Sequence, residues 1–242
     1  MKRTERHHLK DNELANFAVR ARHIVEDRQS QVAMVGIAVV VALGAGIGYW
    51  AWNSRVQGRA DTLLADAMIT GEAEVAPAPA PNSPAATSVS FPTAREKHQA
   101  SLTKFKIAAD EYPSTDAGIF ARYRQAATYM ALGEPKGAAE AYQQVIDRGG
   151  ESLYGQMARL GLAEAQAQQG AFDAAIATFL EMAQRTDGPV PVDGVLVRLA
   201  RVYLDADKKD DAQKTYTRLV EEFPDSPFTP EARRELDLMK KT

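Results

Sequence analysis

Residues 121–145 read ARYRQAATYMALGEPKGAAEAYQQV, and related stretches follow at intervals of 37 residues. Three columns of equivalent residues carry this recurrence. They are Ala126, Ala163 and Ala200; then Ala138, Ala175 and Ala212; then Tyr142, Phe179 and Tyr216. Because independent columns rarely share one interval by chance, the sequence contains a structural repeat.

Each repeat predicts two helices joined by a tight turn. The small residues allow the helices to cross closely, and the aromatic residue lies one helical turn beyond the second of them. Gly133, Gly170 and Asp207 take the turn position, where a left-handed residue ends the first helix. Such a hairpin cannot bury its apolar face alone, so stacked hairpins must form the core. The predicted fold class is therefore all-α, with an α-solenoid of helix hairpins over residues 93–242.

These stretches resemble tetratricopeptide repeats. The resemblance rests on the early small residue, on Tyr129 or Tyr203 three positions later, on the turn and on the Ala-plus-aromatic pair; Pro113 and Pro224 match its helix-ending positions. The early Trp of that family is missing, and the repeat is longer than the common period of about 34 residues. The resemblance implies a scaffold for protein partners without naming one.

Residues 32–52, VAMVGIAVVVALGAGIGYWAW, carry no charge. At about 1.5 Å per residue, a helix of this length spans roughly 30 Å, the thickness of a bilayer's hydrocarbon core. The aromatic residues at its end suit a membrane edge. A long polar tail precedes the run, and no small-x-small cleavage site follows before Arg55, which disfavours a cleaved signal. The sequence therefore predicts a single transmembrane helix.

The distribution of basic residues predicts the orientation of this helix. Those before it are Lys2, Arg3, Arg6, Lys10, Arg20, Arg22 and Arg28. Residues 53–91 contain only Arg55 and Arg59, so the N-terminus is expected in the cytoplasm. The predicted location is the bacterial inner membrane, with a periplasmic C-terminal domain. The absence of cysteine excludes a lipoprotein, and a net charge of −3 without a basic cluster argues against nucleic acid.

Changes in amino-acid composition along the chain predict the boundaries of the segments on either side of the membrane helix. Residues 1–31 form a polar cytoplasmic tail, in which residues 14–25 predict a short amphipathic helix; the simple interpretation is that it lies on the inner membrane surface. Residues 53–71 continue the membrane helix outward. Residues 72–92 form a Pro/Ala-rich linker, which is either a flexible spacer or a recognition site for a proline-binding partner.

The first hairpin of the solenoid lacks a regular first helix. We expect residues 55–71 to supply it, with the Pro-rich stretch inserted in its turn. The side chains expected to pack together are Leu63, Leu64, Ala67 and Met68 against Leu102, Phe105 and Ala109.

The order of these parts is similar to the YfgM-type ancillary subunits of the bacterial Sec translocon. The shared feature is the stretch from Trp52 to Ser54 followed by a small-residue helix, whereas the Pro-rich insertion departs from that pattern. The resemblance implies an adaptor at the periplasmic exit of the translocon, beside a membrane-anchored chaperone. The helix at residues 14–25 would then contact the cytoplasmic face of the translocon, as the alternative to lying on the membrane surface. The alternative is a scaffold for envelope assembly or cell division.

No catalytic, cofactor or metal site is predicted, and the chain is not expected to be an enzyme. The four histidines lack Cys or carboxylate neighbours at metal-ligand spacing. The resemblance to tetratricopeptide repeats implies that a partner would bind on the concave face of the first helices. Its residues would be Phe120, Tyr123, Met130, Met157, Leu160, Glu164, Val197, Arg201 and Leu204. This mostly apolar set suits an amphipathic helix or an unfolded segment; alternatively, the residues pack the solenoid.

The membrane helix also carries a candidate packing site. Gly44 and Gly48 form a GxxxG motif, which allows close approach of another helix, from a partner or from a second copy in a homo-oligomer. The alternative is that glycine is simply common in membrane helices.

Overall fold

The structure, a computed structural model, describes residues 29–76, 89–185 and 188–240. The predicted helix at residues 14–25 and most of the Pro-rich stretch lie outside these ranges. Within them the chain forms nine helices and one pair of short strands. The helices are α1 Gln29–Gly71, α2 Ala94–Glu111, α3 Asp116–Leu132, α4 Pro135–Gly149, α5 Leu153–Gln168, α6 Phe172–Ala183, α7 Val192–Asp205, α8 Lys209–Glu222 and α9 Thr229–Met239. The all-α prediction is confirmed.

The chain divides into two compact units, Met1–Arg55 and Val56–Thr242. In the first unit, α1 is long and apolar enough to cross a membrane, and none of the side chains of its apolar window is buried. Val40 and Trp50, for example, are 68% and 71% exposed. Exposed apolar surface is unfavourable in water, and an apolar environment would remove that cost.

The second unit begins with the hairpin expected from the sequence. Ala67, Phe105 and Ala109 are buried in one cluster, against which Leu63, Leu64 and Met68 pack. Lys104 Nζ also lies 2.7 Å from Asp66 Oδ1. Ala108 and Ala121, rather than the expected Leu102, complete this cluster. The last turns of α1 thus serve as the first helix of the solenoid.

A short strand pair closes the turn of this hairpin. Strands β1 Glu74–Val75 and β2 Ser90–Phe91 are parallel, and the Ala76 N–H donates to the Phe91 carbonyl at 3.0 Å. The chain therefore leaves and returns to the hairpin at one place. The boundaries of the linker at residues 72 and 92 stay a prediction.

Removal of residues 56–92 is expected to lower the melting temperature of the repeat domain. The fragment 93–242 would expose Phe105, which is 1% exposed in the hairpin. Burial of a side chain of this size contributes about 2 kcal/mol, so the midpoint should fall by roughly 5 °C or more relative to fragment 56–242. Circular dichroism melts measure this. Within the longer fragment, Leu64→Gln should reproduce part of the loss and Ile69→Gln, on an exposed side chain, should not. Equal melting temperatures for the two fragments would contradict the pairing.

The remaining helices stack as repeated hairpins. Ala126, Ala163 and Ala200 are completely buried, as expected for positions where helices cross. The aromatic column is buried as well, and the turn position has positive φ in all three repeats: Gly133 at 77°, Gly170 at 76° and Asp207 at 57°. The periodicity therefore predicted both the core positions and the backbone conformation that ends each first helix.

Candidate functional site

The face formed by α3, α5 and α7 holds the residues predicted to bind a partner. At its start, Phe120 and Tyr123 are half-buried and belong to an aromatic cluster. The ring centroids of Phe120 and Tyr154 are 5.0 Å apart, and those of Tyr123 and Tyr142 are 5.7 Å apart. Tyr154 was missed by the sequence analysis because its column contains no other aromatic residue. The cluster forms an aromatic surface that is partly open to solvent.

Two charged residues of the predicted face are already paired. Arg198 Nε donates to Glu164 Oε1 at 2.5 Å, and this pair joins α7 to α5. Arg201 makes a forked contact with Glu231 on α9, with nitrogen–oxygen distances of 2.6 to 2.8 Å. Hydrogen bonding to Glu231 raises the pKa of Arg201. Both charges therefore tie helices together, and a partner would have to compete for them.

Glu164 also acts on the aromatic cluster. Burial raises the pKa of Tyr123, and the negative charge of Glu164 raises it further. The pKa of Tyr142 is raised in the same way, by burial and by the charges around it. Both phenols therefore stay protonated to a higher pH than a tyrosine in water does.

Val197 is a correction to the predicted face. It is 0% exposed and belongs to the core cluster that runs from α5 to α9, so it cannot contact a partner on the surface. Leu160 and Leu204 pack partly against the same cluster, and Met130 packs against the neighbouring one. Met157 is half-buried. Arg201 on α7 is the most exposed residue of the predicted face, and its apolar residues other than Val197 are half-buried.

Another surface depression lies on α8. It is lined by Asp210, Gln213, Lys214, Thr217, Arg218 and Glu222. Arg218 and Glu222 pair with each other at 2.9 Å, and the others are exposed or half-buried side chains on one helix. Charges of both signs on one solvated helix face provide no buried polar group to orient a ligand.

Metal binding has no support in the part of the chain that the structure describes, since no group of three or more His, Cys, Asp and Glu side chains comes together there. In the membrane-helix segment, a Cβ added at Gly44 or Gly48 would meet no atom within 4 Å. Both glycines thus lie on an open surface of α1, and their role in helix packing stays a prediction.

Comparison with known proteins finds one matching family and solved structures with a similar fold. A family model described as a tetratricopeptide repeat-like domain matches residues 29–187 and 120–230. Two crystal structures of nearly identical TPR-like repeats, from a Podosopora anserina protein named as a kinesin light chain, superpose with a TM-score of 0.52 at 16% identity. One of them carries a point substitution; the alignments cover 60% of this chain and 78% or 79% of theirs. At this identity the likeness shows the fold alone. No curated protein matches the chain.

Proposed function

The chain belongs to the tetratricopeptide repeat-like domain family, and we propose that it is a membrane-anchored adaptor that binds proteins through its helical repeats. Proteins with such repeats are generally non-enzymatic scaffolds for protein–protein interaction. The observation that carries the proposal is the combination of a stacked-hairpin domain with an apolar helix whose side chains are exposed. The helix would hold the adaptor at a membrane and leave the repeats free to bind.

The proposed orientation places the N-terminal tail in the cytoplasm and the repeats in the periplasm of a bacterial cell. Its support is the excess of Lys and Arg before the helix, because positive charge is retained on the cytoplasmic side. The aromatic residues Tyr49, Trp50 and Trp52 would then lie at the outer edge of the membrane.

The proposed partners are subunits of the Sec translocon and a membrane-anchored chaperone that receives exported proteins. This part of the proposal is supported by the order of tail, span, small-residue helix and repeats. The half-open aromatic surface at Phe120, Tyr123 and Tyr154 supports binding of apolar segments, because aromatic rings bury a large area at small cost in conformational entropy.

Photo-crosslinking from the full-length chain in cells is expected to capture these partners. A benzophenone amino acid at Tyr123 or Met157 should crosslink exported or chaperone proteins, and one at Gly44 should crosslink translocon subunits. Mass spectrometry of the crosslinked species identifies them. The matched control is Gln143, an exposed position on α4, which should give few crosslinks.

Other outcomes of this experiment would contradict the proposal. Division or envelope-assembly proteins without translocon subunits would favour the alternative scaffold. Cytoplasmic proteins captured from Tyr123 would overturn the orientation. Equal crosslinking from Tyr123 and Gln143 would overturn the binding face.

A further inference from the structure

A second site lies between the first hairpin and α3, away from the aromatic cluster. The end of α1, the first half of α2 and the second half of α3 enclose a pocket of about 190 Å³. Its polar lining comes from His98, Ser101, Arg124 and Thr128, and its floor from the ring of Phe105. This volume suits one amino-acid side chain, since pockets for larger ligands are typically about 300 Å³ or more.

Arg124 is the charged group of this pocket. Its Cζ lies 5.6 Å from the centroid of the Phe105 ring, which holds the guanidinium over an aromatic face. Its Nε is buried and has no hydrogen-bond partner. Among the residues that the structure describes, no carboxylate forms an ion pair with Arg124, and the sequence of residues 77–88 contains no acid. Arg124 as a whole is only half-buried and makes no side-chain hydrogen bond within the described residues, so an anion in the pocket would supply the acceptor that its guanidinium lacks.

The equivalent position in a later repeat shows what such an arginine normally does. Arg198 lies two repeats after Arg124 and is satisfied within the chain, by Glu164 at 2.5 Å and by the Gly194 carbonyl at 2.7 Å. Counted back by the same two repeats, the position of Glu164 falls at Ser90 in β2, which carries no charge. Arg124, on the first helix of the second hairpin, therefore has no equivalent ion pair within the described residues.

Packing alone does not account for this arginine. One repeat after Arg124 the equivalent residue is Gly161, which lies so close to the Tyr142 ring that an added Cβ would be 2.3 Å from its Cζ. The aromatic column is therefore buried in that repeat without any side chain at this position. Arg124 covers Phe105 but leaves an open pocket beside it.

We propose that this pocket binds the carboxylate of an acidic segment in a protein partner. The guanidinium of Arg124 would donate to the carboxylate oxygens, the pairing for which its planar fork is suited. Ser101 Oγ and Thr128 Oγ1 already donate to backbone carbonyls, those of His98 and Arg124, so they can act on the anion only as polar surroundings. The inference rests on the proposed adaptor function and adds the chemistry of one partner segment to it.

Peptide binding to the full-length chain in detergent micelles tests the proposal. The probe is a short fluorescein-labelled peptide of alternating Glu and Ala, compared by anisotropy with its Gln-for-Glu counterpart. The acidic peptide should bind, and the Gln peptide should bind roughly tenfold more weakly or less well still. Arg124→Gln should weaken binding of the acidic peptide by a similar factor, and Arg124→Lys should retain part of it because the charge remains. Arg148→Gln, at an exposed position on α4, should leave the affinity unchanged.

Several results would overturn the assignment. They are failure of the acidic peptide to bind, equal affinity for the Glu and Gln peptides, and unchanged affinity in Arg124→Gln. Inorganic phosphate that binds with the same dependence on Arg124 and displaces the peptide would identify a small-anion site instead. Melting curves establish whether each variant is folded. If Arg124→Gln does not fold, the test rests on Arg124→Lys, whose affinity for the acidic peptide should lie below that of the wild type. Crosslinks from Tyr123 that persist in Arg124→Gln would leave the adaptor proposal intact while this inference fails.

Discussion

Gly118→Ala is expected to destabilise the repeat domain by about 3 kcal/mol, as much as loss of a large core side chain. Gly118 is the third residue of α3 and is buried against the end of α2. A Cβ at this position would lie 1.8 Å from the Tyr112 carbonyl oxygen and 2.7 Å from its carbon. Both are backbone atoms, so no side chain can rotate away to relieve the clash.

The surrounding hydrogen bonds make a backbone shift expensive. The Tyr112 carbonyl accepts from the Thr115 N–H at 3.2 Å and from Thr115 Oγ1 at 2.9 Å, and the Gly118 N–H donates to the same hydroxyl at 3.0 Å. Moving the Tyr112 carbonyl would therefore also disturb the cap of α3, which is worth about 1 kcal/mol. Urea unfolding of fragment 56–242, followed by circular dichroism, measures the loss.

Gly194 provides the matched control. It is also the third residue of a first helix, α7, but an added Cβ would meet only side-chain atoms, Arg198 Nη1 at 3.5 Å and Phe228 Cε2 at 3.7 Å. Gly194→Ala should be neutral or stabilising by up to about 1 kcal/mol, because alanine favours helix. Equal effects at the two positions would show that the close backbone approach at Gly118 is not limiting.

Phe179→Ala is expected to cost about 3 to 5 kcal/mol of unfolding free energy. Phe179 is 0% exposed and lies in the cluster that joins α5 to α9, so its removal leaves a cavity that several helices border. Because each hairpin is stable only against its neighbours, the loss should spread to the C-terminal repeats. Hydrogen exchange can be measured by mass spectrometry in the variant and in the wild type. The increase in exchange rate caused by Phe179→Ala should be larger in α6 to α9 than in α2 and α3.

Leu180, the next residue along α6, provides a control in which an exposed side chain is truncated to alanine. Leu180 is 42% exposed, and Leu180→Ala should cost less than about 1 kcal/mol. A loss at Phe179 of the same size as at Leu180 would contradict the assignment of the aromatic column to the core.

The repeated columns show how far periodicity alone could predict this fold. The alanines at helix crossings, the aromatic residue one turn later and the left-handed turn are local requirements that recur in each hairpin, so they are visible as one interval. The pairing of residues 56–71 with α2 was predictable for the same reason, because a hairpin that lacks one helix leaves Phe105 uncovered. Gly118 and Gly155 also share the interval, and that signal could have identified the close approach of the starts of α3 and α5 to the turns before them.

The candidate site was predicted less well because its residues depend on what lies opposite them. Tyr123, Leu160 and Val197 occupy the same register, yet Val197 is buried while the other two are half-buried. Arg124 and Arg198 are equivalent in sequence, but only Arg198 has a carboxylate from the preceding first helix within reach. The position of a residue within the repeat determines the helix face on which it lies. It does not determine which residues pack against that face.

By itself, the sequence determined the helices, their turns, the buried columns and an apolar helix long enough to span a membrane, since each depends on spacing and composition along the chain. The tertiary structure decided that Glu231 pairs with Arg201, that Tyr154 joins Phe120 and that Arg124 lies in a pocket without an acid. These contacts join different hairpins. The partner of each of these side chains depends on how the hairpins stack. Stacking brings together residues that are far apart in the sequence, and their spacing along the chain does not predict the contact.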